Sequence, residues 1–165
     1  MTETRWLNND EQETWRLFLF ASRLLFGEFE RDMQRGAGMP LTYYEILSVL
    51  SEAPNRALRM SELAEALQVS PSRISHAVSR LEESGYVKRE PCAADRRVLF
   101  AVLTDEGYRV LEGAAPLHVE SVREHLFDQL SPGQQRELRK ISEALLRHLS
   151  SLGNVSDESV AAVLH

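Results

Sequence analysis

A run of small polar and basic side chains between residues 70 and 80 has the composition of a surface that binds duplex DNA. The side chains that share one side of a predicted helix are Ser72, Arg73, Ser75, His76, Ser79 and Arg80. Short hydroxyl side chains let a helix backbone approach the base pairs, and an Arg can donate to both O6 and N7 of a guanine. The plainer interpretation is a solvated helix face with ordinary polar residues. The helix alone does not decide between the two.

The helix that must position these side chains has recognisable ends and one apolar face. Ser70 is a favourable N-cap, and Pro71 suits the first helical position, where the N–H that it lacks would have no partner. The residues at the i, i+3, i+4, i+7 spacing of one helix face are Ile74, Ala77, Val78 and Leu81. Gly85 follows as a stop that tolerates positive φ. We therefore predict a recognition helix over residues 70–84, with Ser70 among its DNA contacts.

A shorter amphipathic helix precedes the recognition helix and favours the DNA-binding interpretation. Ser61 is its predicted N-cap, and the small residue Ala64 permits a close crossing with Ile74 across a three-residue turn. Many such turns carry a glycine where this chain has Gln68, so the turn is slightly atypical. The two helices together have the pattern of a helix-turn-helix.

Two β-prone runs follow, over residues 86–90 and 98–103, around a basic loop. Lys88, Arg96 and Arg97 could simply be solvated, but directly after a helix-turn-helix they are typical of a wing over residues 86–103. Asp95 can orient a neighbouring Arg through a charge-assisted hydrogen bond. We expect Arg97 to enter the minor groove, held by Asp95.

The charge distribution agrees with this location. The net charge is −6, but residues 70–97 carry six Lys and Arg against four Asp and Glu. Residues 1–69 carry seven basic against eleven acidic side chains, and residues 98–165 carry six against ten. Acidic flanks disfavour non-specific binding to phosphates, so discrimination must depend on local contacts.

Long helices on both sides are predicted to form a dimer. Residues 11–35 are apolar on nearly every helix face, and such a helix must be buried on all sides, which two copies of the chain achieve more easily than one. A helix starting with a capping box at Thr42 follows. Thr104 caps a long helix that Gly113 and Pro116 should bend, and Ser131-Pro132 begins the last main helix.

The order and spacing of three segments resemble the multiple-antibiotic-resistance regulator (MarR) family of bacterial transcription factors. The segments are Ser72 to Glu82, Asp95-Arg-Arg97 and Leu103-Thr-Asp-Glu-Gly107, and the resemblance extends from about Glu11 to Leu152. It implies a mainly α fold with a small β wing in one unit, 1–165. In that unit a winged helix-turn-helix, 42–103, lies between dimerisation helices over 11–35 and 105–152. It also implies an obligate homodimer on a pseudo-palindromic operator, often released by a small aromatic or phenolic effector. We expect a repressor that needs no cofactor.

An effector pocket is expected where the dimerisation helices meet the winged domain. The candidate residues are Trp15, Arg16, Arg23, Tyr43 and His118. An Arg or His could pair with a carboxylate, and Trp15 could stack on an aromatic ring. For any single residue the alternative is stronger, namely that the aromatic side chains pack in the core and the charges are solvated.

Other functions find less support. The chain lacks a Gly-rich phosphate loop, a Gly-x-Ser-x-Gly elbow and a His-Glu-x-x-His pair, so we expect no enzyme. His118 and His125, with Glu124, lack the spacing and the Cys partner of a usual zinc site, so no metal is expected. Cys92 lies among basic residues that could make it redox-responsive, although an inert thiol is the better hypothesis. A winged-helix module that binds protein instead of DNA remains the main alternative, and an enzyme built on a helical dimer is a distant third.

The location of the chain is also predicted. The polar N-terminus lacks a signal-peptide pattern, and the longest apolar stretch, residues 17–26, is too short to span a bilayer. A single cysteine excludes an internal disulfide. We expect a cytoplasmic protein with no membrane contact.

Overall fold

The computed structural model describes residues 3–92, 95 and 97–152, which form six α-helices and a three-stranded antiparallel sheet. The helices are α1 (Asn9–Ala37), α2 (Leu41–Glu52), α3 (Met60–Ala66), α4 (Pro71–Glu83), α5 (Asp105–His125) and α6 (Pro132–Ser151). The strands are β1 (Ala57–Arg59), β2 (Val87–Pro91) and β3 (Leu99–Leu103), and short 3-10 turns occupy Pro54–Arg56 and Phe127–Gln129. The predicted mainly α fold with a small β wing is confirmed. The tail from residue 153, which the sequence did not place, lies outside the described residues.

Several helix ends follow the capping chemistry of the sequence. Thr104 Oγ1 accepts the Gly107 N–H at 3.0 Å at the start of α5, as predicted. Ser131 forms a capping box with Gln134 at the start of α6, and Pro132 occupies the first helical position. Helix α5 continues through Pro116 without a break. These elements begin where local side-chain acceptors satisfy the first free N–H groups.

Two predicted caps are wrong, because other groups supply the acceptor. Helix α2 begins at Leu41 and not at Thr42, and the Leu41 N–H donates to Glu30 Oε2 of α1 at 2.9 Å. Helix α3 begins at Met60, one residue before Ser61, directly where strand β1 ends. The carboxylate of Glu62 accepts the Arg59 N–H at 2.9 Å. A contact from a distant helix, as at Leu41, is invisible to a local capping pattern.

The sheet has the order β1-β3-β2, so β2 is an edge strand next to the recognition helix. Val87 pairs with Leu103 at the base of the β2–β3 hairpin, and Pro91 pairs with Leu99 towards its tip. Strand β1, which the sequence analysis did not predict, pairs with β3 through Ala57 opposite Val102. The wing is therefore a two-stranded hairpin whose base is extended by a third, very short strand.

The core lies where α2, α3 and α4 meet the sheet. All four apolar residues predicted on the inner face of α4 are buried: Ile74, Ala77, Val78 and Leu81. Phe29 and Met33 of α1, and Leu111 and Ala114 of α5, extend this core into the long helices. The burial of one face of α4 leaves its polar face to solvent.

A polar cluster joins α1 to α5. Asp32 Oδ2 accepts a hydrogen bond from Ser121 at 2.7 Å and lies 2.8 Å from His125 Nε2, while Arg35 donates to Oδ1 at 2.7 Å. The Ser121 hydrogen bond is the main reason that the pKa of Asp32 is lowered from its ordinary value, so the carboxylate is charged at neutral pH. The two long helices are thereby fixed to each other.

Residues 9–26 of α1 and all of α6 lie outside the core. No residue of α6 is buried in the protomer. The exposed large apolar side chains of these two segments are Trp15, Leu17, Phe18, Phe20, Leu24 and Phe26 on α1, and Ile141, Leu145 and Leu149 on α6. The predicted all-round burial of the first helix is not achieved within one protomer. Within the described ranges, none of the helices combines the length and the apolar character needed to cross a bilayer.

Candidate nucleic-acid interface

Helix α4 displays the predicted DNA-contacting side chains on one exposed face. Ser70, Ser72, Arg73, Ser75, His76 and Arg80 are exposed, and Ser79 is half-buried. Ser70 Oγ accepts the Arg73 N–H at 3.4 Å as the N-cap, as predicted. Helix α4 is about 20 Å long, and the major groove is about 12 Å wide, so its polar face can lie along the base edges.

The turn before α4 contains a left-handed residue, at the position where many such turns carry a glycine and this chain has Gln68. Gln68 has φ of +52°, in the left-handed region where glycine is common. The Val69 N–H donates to Ala64 O at 3.0 Å across the turn. Ala64 and Ile74 are both buried where the two helices cross. Gln68 thus occupies the position of the usual glycine, at a conformational cost of about 1–2 kcal/mol.

The wing loop holds one arginine in a defined position. Asp95 Oδ1 accepts the backbone N–H and Nε of Arg97 at 3.0 and 3.1 Å, and Oδ2 accepts Nη2 at 3.0 Å. These hydrogen bonds lower the pKa of Asp95, while the Arg97 side chain is 90% exposed. The predicted pairing of Asp95 with a neighbouring Arg is confirmed, and its guanidinium faces solvent. Arg96 lies outside the described residues.

Two of the other predicted basic contacts already have acidic partners. Lys88 Nζ lies 2.6 Å from Glu90 Oε1, and Arg80 Nη1 lies 2.8 Å from Glu83 Oε2. The hydrogen bond to Glu83 raises the pKa of Arg80. Since these pairs are solvent-exposed, a phosphate can replace either carboxylate at low cost.

The sequence analysis missed the contacts that fix the wing to the recognition helix. Arg89 of β2 donates three hydrogen bonds to Glu82 of α4, through its backbone N–H, Nε and Nη2. The Thr104 N–H donates to Tyr86 O at 3.0 Å, and Thr104 Oγ1 donates to Gly85 O at 2.7 Å. The sequence feature that could have predicted the Arg89–Glu82 contact is the pair of opposite charges seven residues apart, on the two sides of a turn.

A cleft of about 510 Å³ lies between the C-terminal end of α4, residues 36–40 and α5. Its lining includes Tyr43, Leu81, Tyr86, Val110 and Leu117. Of the five predicted effector residues, Tyr43 alone lines it. The cleft lies at the predicted junction of the long helices and the winged domain.

The protomer does not bring the other effector candidates to this cleft. Trp15, Arg16 and Arg23 are exposed on α1. His118 packs against Phe29 and Tyr44, with 4.5 Å between the ring centroids of His118 and Tyr44. Trp15 is separated from Phe29, and therefore from His118, by about 21 Å along the helix. Burial lowers the pKa of His118, so it is neutral at pH 7. In residues 3–92, 95 and 97–152, no group of three or more His, Cys, Asp and Glu side chains could hold a metal ion.

Solved structures of other proteins share this fold. The model of the MarR family matches residues 37–98, from the end of α1 to the residue before strand β3. Sco3205, a MarR family transcriptional regulator from Streptomyces coelicolor crystallised with DNA, is 48% identical with a TM-score of 0.85, over 90% of this chain and 93% of that one. AbsC, of the same family and organism, is 44% identical with a TM-score of 0.82, over 90% and 99% of the two chains.

A curated relative is also a transcriptional regulator. The transcriptional regulator PecS of Dickeya dadantii (strain 3937) is 31% identical over 108 residues, and the match spans 64% of each chain. The residues that the family model matches include α4, strand β2 and the Asp95–Arg97 pair. The chain belongs to the MarR family of transcriptional regulators.

Proposed function

We propose that this protein is a transcriptional repressor that binds a pseudo-palindromic operator as a homodimer. The observation that carries the proposal is the exposed polar face of α4, whose opposite face is anchored in the core, beside a wing that presents Arg97 to solvent. Sco3205, 48% identical to this chain, was crystallised with DNA. The protein acts in the cytoplasm, where its target is the chromosome.

The contacts divide between the two grooves. Arg73 and His76, near the N-terminal end of α4, contact base edges in the major groove with help from Ser72 and Ser75. Ser79 and Arg80, one turn later, contact phosphates, and Lys88 and Arg96 add positive charge at the wing. Arg97 enters the minor groove, where narrow A·T-rich sequence concentrates negative potential.

The homodimer is supported by the apolar side chains of α1 and α6 that the protomer leaves exposed. Nine large apolar side chains exposed on two helices favour an interface, since burial of aromatic and aliphatic side chains is stabilising. Two-fold symmetry would present two copies of α4 to successive major grooves. Burial in the dimer accounts for the apolar side chains of residues 11–35 that are exposed in one protomer.

The proposed regulation is release by a small aromatic or phenolic effector that binds in the cleft beside Tyr43. The cleft is lined by both the end of α4 and α5, so a ligand there contacts an element that binds DNA and a helix that joins the dimer. An effector that binds the free protein better than the DNA-bound protein weakens operator affinity, about 5- to 150-fold for a coupling of 1–3 kcal/mol. A thermal-shift screen of phenolic acids, followed by operator titration, tests this. Hits that stabilise the protein and leave operator affinity unchanged would exclude this control for those compounds.

Selection from a library of random duplexes with the purified full-length protein tests the operator proposal. We expect an enriched inverted repeat whose half-site centres lie about 10–10.5 base pairs apart, or a multiple of that distance. Failure to retain any duplex at low salt would contradict the proposal and favour a winged-helix module that binds protein.

A further inference from the structure

A single turn connects the two elements that are proposed to contact DNA. Helix α4 ends at Glu83, and β2 begins at Val87, with Gly85 at φ of +77° between them. The Tyr86 N–H donates to Leu81 O at 2.9 Å, which closes the turn. These contacts fix the start of β2, but they lie at the base of the hairpin. The direction of the wing beyond that base needs a further restraint.

Glu82 and Arg89 supply that restraint. Glu82 Oε1 accepts the Arg89 backbone N–H at 2.9 Å, and Oε2 accepts Nε and Nη2 at 2.8 and 2.5 Å. Because β2 is an edge strand, its outward N–H groups have no neighbouring strand, and Glu82 satisfies one of them. The hydrogen bonds from the Arg89 side chain lower the pKa of Glu82, so the pair is charged at neutral pH.

The pair is partly protected from solvent and connects two elements. The side chains of Arg89 and Glu82 are 32% and 35% exposed. Arg89 lies two residues after the buried Val87, so both lie on the same side of β2. The neighbouring pairs Lys88–Glu90 and Arg80–Glu83 each lie within one element and cannot orient the wing against the helix.

We propose that Glu82 and Arg89 are positioning residues that set the angle between the recognition helix and the wing, and thereby place Arg97 for the minor groove. This inference rests on the proposed function. Beyond Glu90, strand β1 no longer lies beside β3, and the wing is a two-stranded hairpin that is soft by itself. A small tilt at Arg89 therefore becomes a larger displacement at the wing loop. Release of the pair leaves Arg97 to sample more positions, and its ordering on DNA then costs conformational entropy.

Two variants that lose the same charge distinguish an effect of wing position on DNA affinity from an effect of charge. Glu82→Gln and Glu90→Gln each remove one negative charge from the same region, which alone would strengthen DNA binding. We expect Glu90→Gln to bind the selected operator at least as tightly as the wild type. Glu82→Gln should bind about five- to tenfold more weakly, because the lost restraint outweighs the gained charge. Arg89→Lys, which keeps the charge but loses the two-pronged contact, should give a smaller loss in the same direction.

A double-mutant cycle with Arg97→Ala compares the loss of affinity caused by this change in two backgrounds. A general loss of stability would not alter the difference between the two losses. In the wild-type background, Arg97→Ala should weaken binding to an A·T-flanked operator about tenfold. In the Glu82→Gln background, the same change should cost less than about threefold, because Arg97 is no longer held in place. The preference for the half-site bases, which depends on Arg73, should be unchanged in Glu82→Gln.

The outcomes distinguish this inference from the proposed function. A wild-type protein that binds no duplex would overturn both. A wild type that binds its operator, with equal losses from Arg97→Ala in the two backgrounds, would overturn the positioning role alone. Equal operator affinities for Glu82→Gln and Glu90→Gln would do the same. If Glu82→Gln is poorly folded by circular dichroism, the cycle is run with Arg89→Lys, in which Arg97→Ala should cost less than in the wild-type background; equal costs in the two backgrounds would again overturn the positioning role.

Discussion

Phe18→Asp is expected to abolish the dimer. Since the separated protomer is not stably folded, the variant should also lose most of its cooperative unfolding transition. Phe18 is 53% exposed in the protomer, where an Asp would change the free energy of unfolding by less than about 0.5 kcal/mol. At a buried dimer interface, the unpaired carboxylate costs on the order of 3–5 kcal/mol. Leu145→Asp, on α6, should behave in the same way, since Leu145 is 47% exposed in the protomer.

Sedimentation velocity at low micromolar concentration measures this effect. The matched control is Leu99→Asp, an equivalent change at a 40% exposed apolar residue of the wing, which should remain dimeric. A wild type that sediments as a well-folded monomer would contradict the assembly, because the proposed dimer has no stable folded monomer. A Phe18→Asp protein that remains dimeric would remove α1 from the interface.

Gly107→Ala should lower the melting temperature by about 5–10 °C, which corresponds to about 2–3 kcal/mol for a chain of this length. A Cβ built on Gly107 would lie 2.1 Å from Tyr86 O and 2.9 Å from Tyr86 C, both backbone atoms. The start of α5 must therefore move away from the turn that connects α4 to the wing. This would stretch the hydrogen bond from the Thr104 N–H to Tyr86 O, so operator affinity should fall as well.

Gly113→Ala, in the same helix, is the control for helix propensity. A Cβ on Gly113 would meet nothing within 4 Å, so this change should stabilise the protein by about 0.5–1 kcal/mol. Differential scanning calorimetry of the two variants gives opposite shifts if the contact with Tyr86 decides the result. A melting temperature for Gly107→Ala equal to or above that of the wild type would show that the junction relaxes without cost.

The recognition helix could be predicted from the sequence because its signals are local. Ser70 and Pro71 specify its start, and the stripe from Ile74 to Leu81 specifies the buried face, so the polar face follows by elimination. The caps of α2 and α3 could not be predicted in this way, because Glu30 reaches Leu41 from another helix and α3 follows strand β1 without a gap. Strand β1 has three residues and is defined by its partner β3, so no periodicity identifies it.

The same distinction applies to the candidate site. The Asp95–Arg97 pair spans two residues and was predicted from the sequence, whereas the Glu82–Arg89 pair requires the turn geometry at Gly85. The five-residue effector group was chosen by side-chain chemistry without distances, and the protomer places only Tyr43 at the cleft. His118 packs against Tyr44 and Phe29 and does not line the cleft.

Arg73→Ala and Arg80→Ala, each titrated on the selected operator and on random duplex over a range of salt, test the assignment of the recognition face most directly. Arg73→Ala should cost about 1–3 kcal/mol on the operator, relax the base preference at one position per half-site and leave random DNA nearly unaffected. Arg80→Ala should weaken binding to both duplexes and reduce the salt slope by about one. Equal losses on operator and random DNA for Arg73→Ala would contradict the account, because the exposed face of α4 would then contribute charge and no base recognition.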